Sequence, residues 1–123
     1  MKIRIKGDSI RYRLTKTEVE IFCKDGSYQE TTDFGSVLFT YVLKAKKAIA
    51  SLEASFENNI ITLYLPDEAQ ATWATSDRVG YQGLMDFTDG KQLSLLVEKD
   101  FVCLDETIED QSDNYPNPLA NKK

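Results

Sequence analysis

Five cations stand at alternating positions near the start of the chain: Lys2, Arg4 and Lys6, then Arg11 and Arg13. If Gly7-Asp8 is a two-residue hairpin loop, Arg4 lies across from Arg11 and Lys2 from Arg13. Ile3, Ile5, Ile10 and Tyr12 then share the opposite face. Like charges directly opposite one another on a sheet repel, so these cations call for an acidic counterpart. Three sources are open. Glu53 and Glu57, outward-facing in a second hairpin, could form a ladder of ion pairs within the chain or across a dimer. The acidic C-terminal segment could fold back. An external anion or nucleic acid could bind, with the arginine forks gripping phosphate in pairs. Pairing inside the chain is the favoured reading, and Lys2, Arg4, Lys6, Arg11 and Arg13 are the candidate binding residues.

Other chemistry is thinly represented. The chain has no histidine, which removes the commonest general base and metal ligand, and every Ser-His or Cys-His pair. Cys23 falls on the apolar stripe of an expected helix. Cys103 stands beside Phe101 and Leu104 with Lys99 as its nearest cation, so both thiols read as packing groups. Asp105, Glu106, Glu109, Asp110 and Asp113 could offer oxygens to a hard cation, but their order is not that of a calcium loop. Gly80 and Gly83 lie in a strand pattern and mark a bulge or a close backbone approach, not a phosphate loop. Tyr12 is the one aromatic of the basic hairpin and turns inward, which argues against stacking on nucleic acid. Trp73 with Phe22, Phe34, Phe39 and Phe56 read as core. No catalytic, cofactor-binding or metal-binding residue is assigned.

The elements that must hold these residues are well marked. After the basic hairpin, Thr15 and Glu18 form a capping box, Leu14 and Val19 stand where a hydrophobic staple sits, and Gly26 ends the helix. Strands are expected over 28–34 and 37–43, and Lys44, Lys46 and Lys47 mark an exposed connection. A second hairpin turns at Asn58-Asn59. Pro66-Asp67-Glu68 opens a second helix carrying Ala69 and Trp73 to about Ser76. A last hairpin turns at Asp89-Gly90. Each half thus reads strand, strand, helix, strand, strand. A shift of 51 positions lays Ile10 on Ile61, Leu14 on Leu65 and Phe22 on Trp73, as an internal duplication would. The expected fold is α+β: a mostly antiparallel sheet from two ββαββ halves, with two short helices.

Composition agrees with one domain. The chain has 123 residues, 41% apolar and 28% charged, with a net charge of −5. That is ordinary globular usage. No apolar run reaches the roughly 18–20 residues of a membrane span, and two distant cysteines suit a reducing compartment, so a cytoplasmic protein is expected. Residues 1–104 form the expected domain and 105–123 an acidic tail, mobile or docked.

The opening M-K-I-R-I-K-G-D-S-I-R-Y-R-L-T-K-T-E-V resembles that of a family of small uncharacterised bacterial proteins. So do L-L-V-E-K-D-F-V-C-L at 95–104 and E-D-Q-S-D-N-Y-P-N-P at 109–118. The resemblance implies a self-contained unit in which Pro116-Asn117-Pro118 belongs to the fold. It carries no activity. The expected function is a non-catalytic binding or protein-interaction module that uses the basic sheet face and the acidic C-terminal segment, with a protein partner or a second copy. The alternatives are a small enzyme with a carboxylate or lysine between the halves, and a binder of anions or nucleic acid.

Overall fold

The computed structural model describes residues 1–101 and 113–116. Alternating isoleucines and cations form β1 (Lys2–Ile5) and β2 (Ser9–Leu14). Gly7, at φ 54°, takes the first place of the two-residue loop, and Lys6 and Ser9 exchange backbone hydrogen bonds of 3.1 Å on either side of it. The register is Lys2 to Arg13, Ile3 to Tyr12, Arg4 to Arg11 and Ile5 to Ile10.

Helix α1 (Lys16–Asp25) begins with both halves of the capping box: Glu18 N–H donates to Thr15 Oγ1 and Thr15 N–H to Glu18 Oε1. Leu14 and Val19, on either side of the cap, are fully buried. Then come β3 (Ser27–Asp33) and β4 (Leu38–Lys46). Lys44 and Lys46 therefore belong to a strand, not to a connection. They alternate with the buried Leu43 and half-buried Ala45, so the period-2 pattern runs on through them. Strands β5 (Glu53–Glu57) and β6 (Ile60–Pro66) turn at Asn58-Asn59, both at positive φ as a type I′ turn requires. Helix α2 (Asp67–Thr72) continues into a 3-10 turn, Trp73–Thr75. Strands β7 (Gly80–Asp86) and β8 (Gln92–Lys99) close the fold. Their loop has three residues, Thr88-Asp89-Gly90, instead of the two expected. Phe87 N–H donates to Lys91 O across it, and Gly90 takes the left-handed place that ends such a loop.

The strands make two four-stranded sheets, β1-β2-β8-β7 and β3-β4-β6-β5. Both are mixed: the hairpin pairings are antiparallel, but β2 pairs with β8 and β4 with β6 in parallel. The reason is directional. The second strand of every hairpin runs away from its turn, and the paired hairpins carry their turns at the same end, Ser9 beside Ser94 and Thr40 beside Ile60, so their second strands meet in parallel. Each sheet joins the first hairpin of one half to the second hairpin of the other. Positions 51 apart are equivalently buried: Met1 and Leu52, Tyr12 and Leu63, Leu14 and Leu65, Phe22 and Trp73. The structure establishes equivalent places, not a duplication.

The two sheets pack face to face, Tyr12 meeting Tyr41 edge-on at 6.0 Å and donating its hydroxyl to Ile61 O. The helices cover one end of this sandwich, where Phe22 meets Trp73 at 6.4 Å and Trp73 meets Tyr81 at 5.4 Å. The four hairpin turns gather at the other end, which has no helix over it.

Candidate functional site

Alternation carries the five cations to the outer face of the first sheet, and the β2–β8 pairing decides what they meet. Arg13 lies in register with Glu98. Glu98 Oε1 accepts from Arg11 Nε at 2.6 Å and from Arg13 Nε at 3.1 Å, and Arg11 Nη2 closes on the same oxygen. Lys2 Nζ lies 3.2 Å from the buried carboxylate of Asp100. The counterpart is therefore internal, but it comes from the last strand and the residue after it. Glu53, the expected partner, is in the other sheet and pairs with Lys46 at 2.8 Å. A parallel strand at β2 was the missing information; nothing in residues 1–16 announces it.

Arg4 and Lys6 are exposed and make no ion pair among the described residues. Two shallow recesses flank them. One of about 290 Å³ is lined by Lys2, Ile3, Arg4, Arg11 and Arg13, and one of about 230 Å³ by Arg4, Lys6, Ser9 and Arg11 with β8 side chains. The face can hold an anion at Arg4 and Lys6. Arg11 and Arg13 are already engaged.

Two charge clusters went unread in the sequence. The Met1 ammonium is buried between Glu18 and Glu30, and Tyr41 donates to Met1 O at 2.8 Å. Burial, then the two nearby glutamates, pushes Tyr28 up to about 12, and Tyr41 rises for the same reasons. Behind β8, Lys99 is only 5% exposed; its ammonium donates to Ser76 O at 2.7 Å and lies 4.9 Å over the Tyr115 ring. Burial lowers the Lys99 pKa and pushes Tyr115 up to about 12. Asp113, beside them, accepts from Thr17 Oγ1 at 2.8 Å, and its carbonyl accepts from Lys16 N–H at 2.9 Å. Asp113 thus docks at the start of α1, away from the basic face. Hydrogen bonds from Thr15 and Thr17 hold its carboxyl below the usual range. Asp105, Glu106, Glu109 and Asp110, read as possible oxygen ligands, and Cys103 lie outside the described residues. Among the described residues no three acids or cysteines converge as a metal site requires.

The largest correction concerns the aromatics. Trp73 and Phe22 are fully buried and Phe39 is half-buried, but Phe34 is 64% exposed and Phe56 65%. Both flank hairpin turns at the uncovered end, where a strand position that faces inward has no layer left to face. Ile5, on the apolar side of the first hairpin, is 56% exposed for the same reason, and Phe87 is 43% exposed. Ile5, Phe56 and Phe87 border a cleft between the sheets of about 520 Å³, lined also by Ile10, Phe39 and Leu93 among others. A second recess of about 450 Å³ adjoins it through Phe39 and is lined by Phe34, Val37, Leu38, Phe39 and Asn59. The signal available in the sequence was position: each of these residues stands within three of a turn. Of the two glycines expected at a bulge or close approach, Gly80 is the close one, its backbone lying against Val97 O and Glu98 Cα of β8, whereas Gly83 has only ordinary contact with Leu52.

The chain belongs to a family of unknown function, DUF7009, whose profile matches residues 1–119. This agrees with the resemblance to an uncharacterised family drawn from both ends of the sequence. Among curated proteins and among solved structures, nothing matches the chain. No helix among the described residues is long and apolar enough to cross a membrane.

Proposed function

We propose that this protein is a non-catalytic binding module that takes a segment of a partner protein into the cleft at its hairpin end. One observation carries the reading: Ile5, Phe34, Val37, Leu38, Phe56 and Phe87 are exposed at one end of a sandwich whose other end is sealed by helices. Isolated apolar residues on a surface need no explanation, but a contiguous group around a cleft marks an interaction site. Leaving such a group in water costs solubility, so it is kept where a partner covers it. The internal pairing of Arg11 and Arg13 with Glu98 supports a lesser role for the basic face than its sequence suggests. The free thiol of Cys23, half-buried against Ala69 O, suits a reducing, cytoplasmic setting.

The test is selection of a displayed random-peptide library on the immobilised full chain, followed by rescreening on the Phe34→Ser/Phe56→Ser variant. Peptides that enrich on the first and fail on the second support the reading. Enrichment indifferent to the two substitutions, or no enrichment, overturns it.

A second reading has its own observation. Arg4 and Lys6 are exposed cations beside a recess, without an ion pair among the described residues, and they suit a phosphate group. Its test is anisotropy of a labelled oligonucleotide at low salt. Binding that Arg4→Glu abolishes supports it, and silence removes it.

A further inference from the structure

We infer that the occupant of the hairpin-end cleft is a peptide segment with aromatic or aliphatic anchors flanked by lysine or arginine. The inference rests on the binding role proposed above and goes further by naming the partner's chemistry. Two observations carry it, one inside the cleft and one around it.

Inside, the lining offers almost nothing to orient a polar molecule. Among the described residues, Ser55 is the one polar residue of the larger recess and Asn59 of the smaller. A site for a small polar metabolite needs several convergent polar groups among its apolar walls. This cleft has the walls alone, as grooves that receive the apolar anchors of a peptide do.

Around it, the turns are acidic. Asp8, Asp33, Glu57, Asp86 and Asp89 stand exposed at or next to the four turns, against Lys6 and Lys91. Lys91 is taken up by Asp89 at 3.6 Å. Asp33 accepts only from Gly35 N–H and Asp86 from Gln92, and Asp8, Asp33, Glu57 and Asp86 have no ion-pair partner among the described residues. The basic face does not offset them here, because Arg4 and Arg11 project from the far side of the first sheet. A second copy seated on this end would set one acidic rim against another. A fatty acid or an anionic membrane meets the same repulsion. A peptide with cations beside its apolar anchors gains from both features.

The experiment uses short labelled peptides and the full chain, read by fluorescence anisotropy. Three peptides share their leucine and phenylalanine positions and carry lysine, serine or glutamate between them; a fourth keeps the lysines and replaces the apolar residues with serine. The expected result is that the lysine–apolar peptide binds at least about tenfold tighter than the glutamate one, with the difference shrinking at high salt. Asp33→Asn/Glu57→Gln should reduce that preference about threefold or more, and Phe34→Ser/Phe56→Ser should abolish binding. Circular dichroism serves as the check on folding.

Equal binding of the three apolar peptides would overturn the charge inference and leave the cleft's binding role standing. Binding of the fourth peptide as tight as the first would overturn it too, since anchors would then be irrelevant. No peptide binding, together with a dimer in sedimentation that Phe34→Ser/Phe56→Ser dissolves, would assign the cleft to a second copy. No peptide binding and no dimer would overturn both the inference and the reading beneath it.

Discussion

Arg11 Nε donates to Glu98 Oε1 at 2.6 Å across the parallel junction of β2 and β8, the place where the first and last hairpins of the chain are joined. Eighty-seven positions separate the two residues. The pair neutralises a repulsion built into the first hairpin, because Arg11 faces Arg4 and Arg13 faces Lys2. One glutamate thus lets the second strand of a strongly basic ribbon pair with β8 at the centre of the sheet.

Glu98→Gln should therefore lower stability by about 1 kcal/mol, the scale of a partly exposed ion pair. It should also free Arg11 and Arg13 and lengthen retention on a heparin column. Urea denaturation and the column check the two halves separately. An unchanged midpoint with unchanged retention would show that the arginines gain nothing from Glu98.

The exposed and buried aromatics should separate cleanly in stability. Phe34→Ser and Phe56→Ser should each stay within about 0.5 kcal/mol of the parent, as surface substitutions do. Trp73→Ala, which empties the packed space between Phe22 and Tyr81 and removes a hydrogen bond to Arg78 O, should cost about 3–5 kcal/mol. A loss of several kcal/mol at Phe34 or Phe56 in urea melts would mean that the hairpin end is core after all.

Glycine is required at one of the two strand positions and not at the other. A Cβ on Gly80 would fall 2.4 Å from Val97 O and 2.8 Å from Glu98 Cα, both backbone atoms of the paired strand. Gly80→Ala should cost about 1–3 kcal/mol by forcing β7 away from β8. At Gly83 the nearest atom would be Leu52 N at 3.4 Å, an ordinary contact. Gly83→Ala should be neutral or stabilising by up to about 1 kcal/mol, because it restricts the unfolded chain. Equal midpoints for the two variants would contradict the packing of β7.

Alkali should unfold the protein through its tyrosines. The unfolded chain loses phenolic protons near 10.0, whereas Tyr28 and Tyr115 keep theirs to about 12. Over that interval the native state holds more protons, so stability falls as pH rises. Burial moves Tyr12, Tyr41 and Tyr81 in the same direction. Lys99 has the opposite sign: its folded pKa is lowered, so its burial penalty is relieved as pH climbs toward 10.5. Urea midpoints should hold level or rise slightly up to about pH 10 and drop beyond it. Tyr115→Phe should flatten the drop, and at neutral pH it should add about 1 kcal/mol, since among the described residues nothing pairs with its buried hydroxyl. An unchanged alkaline slope in that variant would count against burial as the cause.

Local order was legible because its causes are local. The Thr15–Glu18 box, the left-handed Gly26, the Asn58-Asn59 turn and the Ile3-to-Tyr12 register each involve residues only a few positions apart, and each holds in the structure. The α+β class followed from them. Lys44 and Lys46 were misread because charge suggested a loop, while their alternation with Leu43 and Ala45 continued a strand.

What only the tertiary structure decided is how the hairpins meet. A hairpin's own sequence sets which of its faces is apolar, but not which other hairpin will cover that face or lie along its free edge. Pairing β2 with β8 in parallel made Glu98 the partner of the basic ribbon in place of Glu53. The stacking of the two sheets left the turn-proximal Phe34 and Phe56 exposed, although by type and alternation they read as core. Residue type and period fix which way a side chain points. Whether anything stands in front of it is a property of chain segments far apart in sequence, and that is why neither the cleft nor the partner of the basic face could be read from the sequence.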